Sequence, residues 1–125
     1  MTTKGIAMLF GLVFLVVGVL GFVQTGTSQE MSMLLGFFPV NFAHNCVHTL
    51  FGIWGLAAAR SEGGATSYCK IGGLIYLVLG ALGFVVESPL GLVPIGGNDR
   101  WLHLALGAVL SFAGFTMGGA KTTTA

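Results

Sequence analysis

The chain has 125 residues, of which 54% are hydrophobic and only 7% are charged. A soluble domain carries about 25% charged residues, and a disordered chain lacks the Leu, Val and Phe that dominate here, so both classes are excluded. Five Lys and Arg against four Asp and Glu form no basic stripe for nucleic acid, and what remains is a membrane protein.

A bilayer core about 30 Å thick takes about 20 helical residues at about 1.5 Å each. Four stretches meet that requirement in chain order, and the predicted spans are residues 5–23, 41–59, 69–87 and 99–118. The first runs from Gly5 to Val23 behind Lys4. A basic start before an apolar run also describes a signal peptide, but this run is too long and no small-x-small cleavage site follows it. The second begins after Pro39, with Asn41 as the expected N-cap. The third is shortest, with Ile71 to Val86 between Lys70 and Glu87, whose long side chains snorkel to the interfaces. The fourth follows Pro94, with Asn98 or Asp99 as the expected cap. Ser61 to Ser67 and Thr122 to Thr124 read as flexible polar connections.

Four spans put both termini on one side. Lys4, Arg60, Lys70 and Lys121 fall on that side with only Glu62 against them, and Glu30, Glu87 and Asp99 fall on the other with the single positive charge Arg100, so the positive-inside rule predicts cytoplasmic termini. The loops over Gln24 to Phe38 and Ser88 to Gly97 then lie outside. Cys46 and Cys69 belong to opposite ends of different helices, too far apart for a disulfide, which predicts two free thiols.

An internal repeat accounts for the arrangement. Phe10 to Val23 recurs sixty-two residues later as Gly72 to Val85. After a contraction of the outer loop, Leu35-Gly-Phe-Phe-Pro-Val40 answers Leu90-Gly-Leu-Val-Pro-Ile95 at a spacing of fifty-five, as do His48 and His103, and Gly52 and Gly107. The chain reads as a tandem duplication of a two-helix hairpin, with units at about 5–59 and 67–118. Because each unit has an even number of spans, the expected pseudo-twofold axis runs along the membrane normal. The predicted fold is an all-α integral membrane four-helix bundle.

At about 100° per residue, each helix gathers small or polar residues on one face. These are Ala7, Gly11, Phe14, Gly18 and Gly21 in the first, and His44, His48, Gly52, Gly55 and Ala59 in the second. The third gathers Cys69, Gly73, Tyr76, Gly80 and Gly83, and the fourth Asp99, His103, Gly107, Leu110 and Gly114. Small residues mark helix contacts in lipid, where association relies on close backbone approach.

The segments Pro39-Val-Asn-Phe-Ala-His-Asn-Cys-Val-His-Thr-Leu-Phe-Gly52 and Pro94-Ile-Gly-Gly-Asn-Asp-Arg-Trp-Leu-His-Leu-Ala-Leu-Gly107 resemble the paired signatures of a bacterial membrane family, domain of unknown function 4383. The resemblance covers the chain from the first helix to the fourth. It implies a four-span bacterial integral membrane protein, and brings no established activity, substrate or cofactor.

The candidate site is the polar set near the outer surface: His44, His48 and His103 as candidate cofactor ligands, with Asn41, Asn45 and Asp99 around them. Ionisable groups inside a membrane are costly and mark function by default. One reading is structural, with His48 and His103 bonded to each other, to a carbonyl or to water, tying the hairpins together. A second is cofactor binding: a bis-histidine haem, the magnesium of a chlorophyll, or a metal held by His44, His48 and Asp99 or His103. A third is transport by an oligomer, against which no carboxylate lies mid-span. No nucleophile sits beside a base and no phosphate loop is present, so no enzyme is expected. The expectation is a structural or accessory subunit of a membrane assembly, with lipid and partner helices or further copies as its neighbours. Its place is the bacterial inner membrane, or the thylakoid membrane in a cyanobacterium.

Overall fold

The computed structural model describes residues 2–36, 38–86 and 94–117. Its elements in order are α1 (Thr3–Thr25), β1 (Ser32–Leu34), β2 (Phe38–Val40), α2 (Phe42–Ala58), α3 (Glu62–Leu82) and α4 (Asn98–Phe112), the last continued by a π-helical turn at Ala113–Met117. Two of the helices, α1 and α3, are long and apolar enough to cross a membrane. The predicted ends of the third and fourth spans, the greater part of the second outer loop, and Lys121 to Thr124 lie outside the described residues.

Local chemistry explains most helix ends. The Thr2 hydroxyl accepts from the Gly5 amide, and α1 stops at Gly26, whose φ of 59° takes the chain out of the helix while its N–H donates to the Phe22 carbonyl. Asn41 caps α2 as expected, its side chain accepting from the His44 amide at 2.9 Å. The Ser61 to Ser67 connection, expected to be flexible, is instead the start of α3. Ser61 accepts from the Gly64 amide and Glu62 lies in the first turn, where the helix dipole favours a negative charge. The expected side-chain cap of α4 is also corrected. Gly97 holds the cap position with φ 60°, no side chain bonds the first amides, and Asp99 is engaged elsewhere.

Between α1 and α2 the loop folds into an antiparallel hairpin pairing Ser32 with Val40 and Leu34 with Phe38. Leu35 at φ 55° and Gly36 at φ 77° make its turn. Leu34, Pro39 and Val40 are buried.

The buried faces are those marked by the small residues. Gly11, Phe14, Gly18 and Gly21 are buried on α1, and His44, His48, Gly52 and Gly55 on α2. Cys69, Gly73, Tyr76 and Gly80 are buried on α3, and Asp99, His103, Gly107 and Leu110 on α4. Within each hairpin the backbones nearly touch. A Cβ at Gly52 would sit 2.6 Å from the Leu15 nitrogen, and one at Gly107 2.6 Å from the Leu77 nitrogen. The remaining approaches match position by position: Gly11 meets Leu56 as Gly73 meets Ser111, Gly18 meets Thr49 as Gly80 meets Leu104, and Gly21 meets Asn45 as Gly83 meets Arg100.

Contacts between the hairpins are of another kind. Phe14 and Tyr76 stack at 5.3 Å between centroids and 10° between planes. The Tyr68 hydroxyl donates to the Phe51 carbonyl at 3.1 Å, and the Thr3 and Thr66 hydroxyls bond at 3.3 Å. Cys46 and Cys69 are both free thiols.

The glycine contacts generate a test. Gly52→Val and Gly107→Val should each lower the unfolding free energy in detergent by about 1–3 kcal/mol, because the obstructing atoms are backbone and cannot rotate away. Gly63, which has open space around it, should accept Ala with no loss. Equal tolerance at all three positions would contradict the close approach.

Candidate functional site

Helices α2 and α4 begin at the same end of the bundle, and their first two turns supply the site. Asn41 fixes the start of α2 and so aims His44, with His48 one turn further on the same face. The corresponding positions of α4 are Asp99 and His103. None of the four is more than 5% exposed.

Their geometry is compact. His44 Nε2 lies 2.8 Å from Asp99 Oδ2. The His44 ring stands 4.1 Å from the His48 ring, and the His103 ring 6.5 Å from each of them. One ring nitrogen from each histidine lies within 4.8 Å of the other two. A carboxylate only accepts hydrogen bonds, so in the arrangement where Asp99 accepts at Oδ2, His44 donates from Nε2 and its Nδ1 carries the lone pair.

The structure also reports which atoms have no partner. Nδ1 of His44, His48 and His103, Oδ1 of Asp99 and the Tyr76 hydroxyl are all buried without a hydrogen bond. His48 and His103 therefore do not form the direct mutual bond that a simple polar tie requires. The hairpins are tied instead by His44 and Asp99.

Two aromatic rings close the cluster from α1 and α3. Phe14 stands 5.7 Å from His48, and Tyr76 stands 5.1 Å from His103. Periodicity put both on the buried faces but did not connect them with the histidines. The available signal was their separation of sixty-two residues, the same offset at which Phe10 to Val23 resembles Gly72 to Val85. Of the other expected members, Asn41 serves the helix start, and Asn45 donates to the Thr25 hydroxyl at 2.8 Å, away from the histidines.

This packing limits what the cluster can hold. A haem or chlorophyll needs a broad flat slot beside its axial imidazole, whereas these rings are enclosed by Phe14, Tyr76 and one another. A space of about 370 Å³ does lie along α1 and α4, bounded by Phe10, Phe14, Val17, Leu102 and Leu106 with His48 on its wall. The chemistry that fits among the imidazoles themselves is that of a single small ion or a water.

The tie is measurable on its own. A double-mutant cycle of His44→Ala and Asp99→Ala, read as unfolding free energy in detergent, should return a coupling of about 1 kcal/mol. Strictly additive losses would show that the bond contributes nothing.

No curated protein and no solved structure matches the chain. A family model, Domain of unknown function (DUF4383), matches residues 4–116, which is every element described above except the first residue of α1 and the last of the π-helical turn. The chain belongs to the DUF4383 family.

Proposed function

We propose that this chain is a multi-pass integral membrane protein of the bacterial inner membrane, built from a duplicated helical hairpin and serving as a structural or accessory subunit of a membrane assembly. The observation that carries the reading is the distribution of polarity. Leu12, Val16, Leu50, Ile53, Val78 and Phe112 are exposed on the outer faces, while His44, Asn45, His48, Asp99 and His103 are buried. Water tolerates contiguous apolar surface of only a few hundred Å² on a monomer, whereas lipid favours it and drives polar groups inward. A bundle with this surface presents partner helices with apolar side chains on every helix.

The duplication is supported by contacts as well as by sequence. The same backbone approaches recur in both hairpins at the two repeat spacings. Phe14 stacks on Tyr76, His44 bonds Asp99, and His48 faces His103, so equivalent positions meet across the middle of the bundle. That is the behaviour of residues beside a pseudo-twofold axis.

Membrane insertion and orientation are tested together. The protein should stay in the membrane fraction after alkaline carbonate washing. Reporters fused after Ala125 or within Ser61 to Ser67 should be active only in the cytoplasm, and one inserted after Gly26 only in the periplasm. Release by carbonate would overturn the membrane reading, and a periplasmic signal at Ala125 would overturn the orientation. On native electrophoresis of solubilised membranes the chain should migrate in a larger assembly, and migration as a monomer throughout would contradict the accessory role.

A further inference from the structure

We propose that His44, His48 and His103 form a binding site for one divalent transition-metal ion of the zinc class, with Asp99 orienting His44 from behind and the bound ion joining the two hairpins. The inference rests on the geometry of the cluster and not on the accessory role, so either can fail without the other.

The first argument is ligand placement. Imidazoles four residues apart on one helix share a face, and His103 reaches the same point from a second helix. Ligands about 2.0–2.1 Å from a tetrahedral zinc stand about 3.4 Å apart. The three nitrogens already fall within 4.8 Å of one another, and small rotations of the rings close the remaining distance.

The second argument is the set of unpaired atoms. Buried polar groups in folded proteins are nearly always bonded, and a buried group without a partner needs a reason. Here three imidazole Nδ1 atoms in one cluster are unpartnered together. A polar tie would have paired them, because a neutral imidazole both donates and accepts. Three buried imidazole nitrogens with no hydrogen-bond partner, each able to present a lone pair when its proton sits on the other ring nitrogen, are what a cation can use.

The third argument is the contact behind the ligands. A metal-binding histidine characteristically gives its other N–H to a carboxylate, which fixes the tautomer and raises the basicity of the ligating nitrogen. The 2.8 Å contact from His44 Nε2 to Asp99 Oδ2 has that form. Asp99 also brings a buried negative charge against the ion's two positive ones. Three histidines leave a fourth position for water. Imidazole ligands with a single carboxylate favour zinc, cobalt, nickel or copper over magnesium or calcium.

The test uses the full chain, carrying a purification tag without histidines, purified in mild detergent and stripped with a chelator. Titrated Co²⁺ should bind at one ion per chain and develop the visible ligand-field bands of a tetrahedral site. Zn²⁺ should displace it and raise the thermal midpoint until saturation, while Mg²⁺ should do neither. His48→Gln and His103→Gln should each abolish the cobalt bands. Asp99→Asn should keep the bands but weaken binding by about 10–100-fold. A wild-type protein that is helical and monodisperse yet yields no bands would overturn the proposal. So would Co²⁺ binding that persists unchanged in the combined His48→Gln/His103→Gln protein. Should a variant fail to fold, the wild-type titration decides by itself.

Discussion

The two hairpins of this bundle are separately well packed, and at the end where α2 and α4 begin they are joined by a buried bond, His44 Nε2 to Asp99 Oδ2 at 2.8 Å. Inside each hairpin, glycines let the backbones approach until a Cβ would collide with main-chain nitrogen. Such surfaces are self-sufficient, since close packing is what stabilises helix pairs in an apolar solvent. Between hairpins the helices stand further apart and larger groups fill the gap: the Phe14–Tyr76 stack, the Tyr68 hydroxyl on the Phe51 carbonyl, and the histidine cluster. Dispersion between rings tolerates sliding, whereas a short bond between two buried polar groups does not. The bond from His44 to Asp99 therefore fixes the register of one hairpin against the other at this end, as the Tyr68 bond to the Phe51 carbonyl does further along the bundle, and His48 and His103 are held one turn beyond it.

This division of labour explains why the polar residues are where they are. A buried imidazole or carboxylate is costly in an apolar medium unless it is bonded, so each has to meet a partner from another element. Here residues at matching separations meet across the bundle, Phe14 with Tyr76 and His44 with Asp99, which brings such groups together. If both members of a pair are the same residue, the two must divide donor and acceptor roles between them, as His48 and His103 would. Where His in one hairpin faces Asp in the other, donor meets acceptor directly. The His44–Asp99 pair gives one such bond across the two hairpins, and Nδ1 of His44, His48 and His103 is left buried without a hydrogen-bond partner.

The faces of all four helices were legible in the sequence because glycine spacing at the helical period is a strong signal in a chain where nearly every other residue is apolar. The free thiols followed from the same helix placement. The site was half legible: periodicity put His44, His48, Asp99 and His103 on inward faces, but it cannot tell which pairs touch. The pairing of His44 with Asp99 had one signal in the sequence, their separation of fifty-five residues, which is also the separation of His48 from His103. The start of α3 was hidden because Ser61-Glu-Gly-Gly reads as a loop by composition, although serine as cap and glutamate in the first turn are also helix-start chemistry. Each strand of the short hairpin spans three residues, too few for an alternation to register, and its turn puts Leu35, not only Gly36, at positive φ. Gly97 replaced the expected side-chain cap of α4 because its φ of 60° makes the entry turn without one, which left Asp99 free to reach His44.

The most direct test of this account is the distance between the two groups on which the hairpin register depends. With histidine labelled in nitrogen-15 and aspartate in carbon-13 at the carboxyl, dipolar recoupling by solid-state NMR in lipid bilayers reads the separation of His44 Nε2 from the Asp99 carboxyl carbon. A strong correlation, lost in Asp99→Asn carrying no label at that position, is the result the account predicts. A folded, helical sample with no correlation between these atoms would contradict it, and with it the arrangement of the histidine cluster.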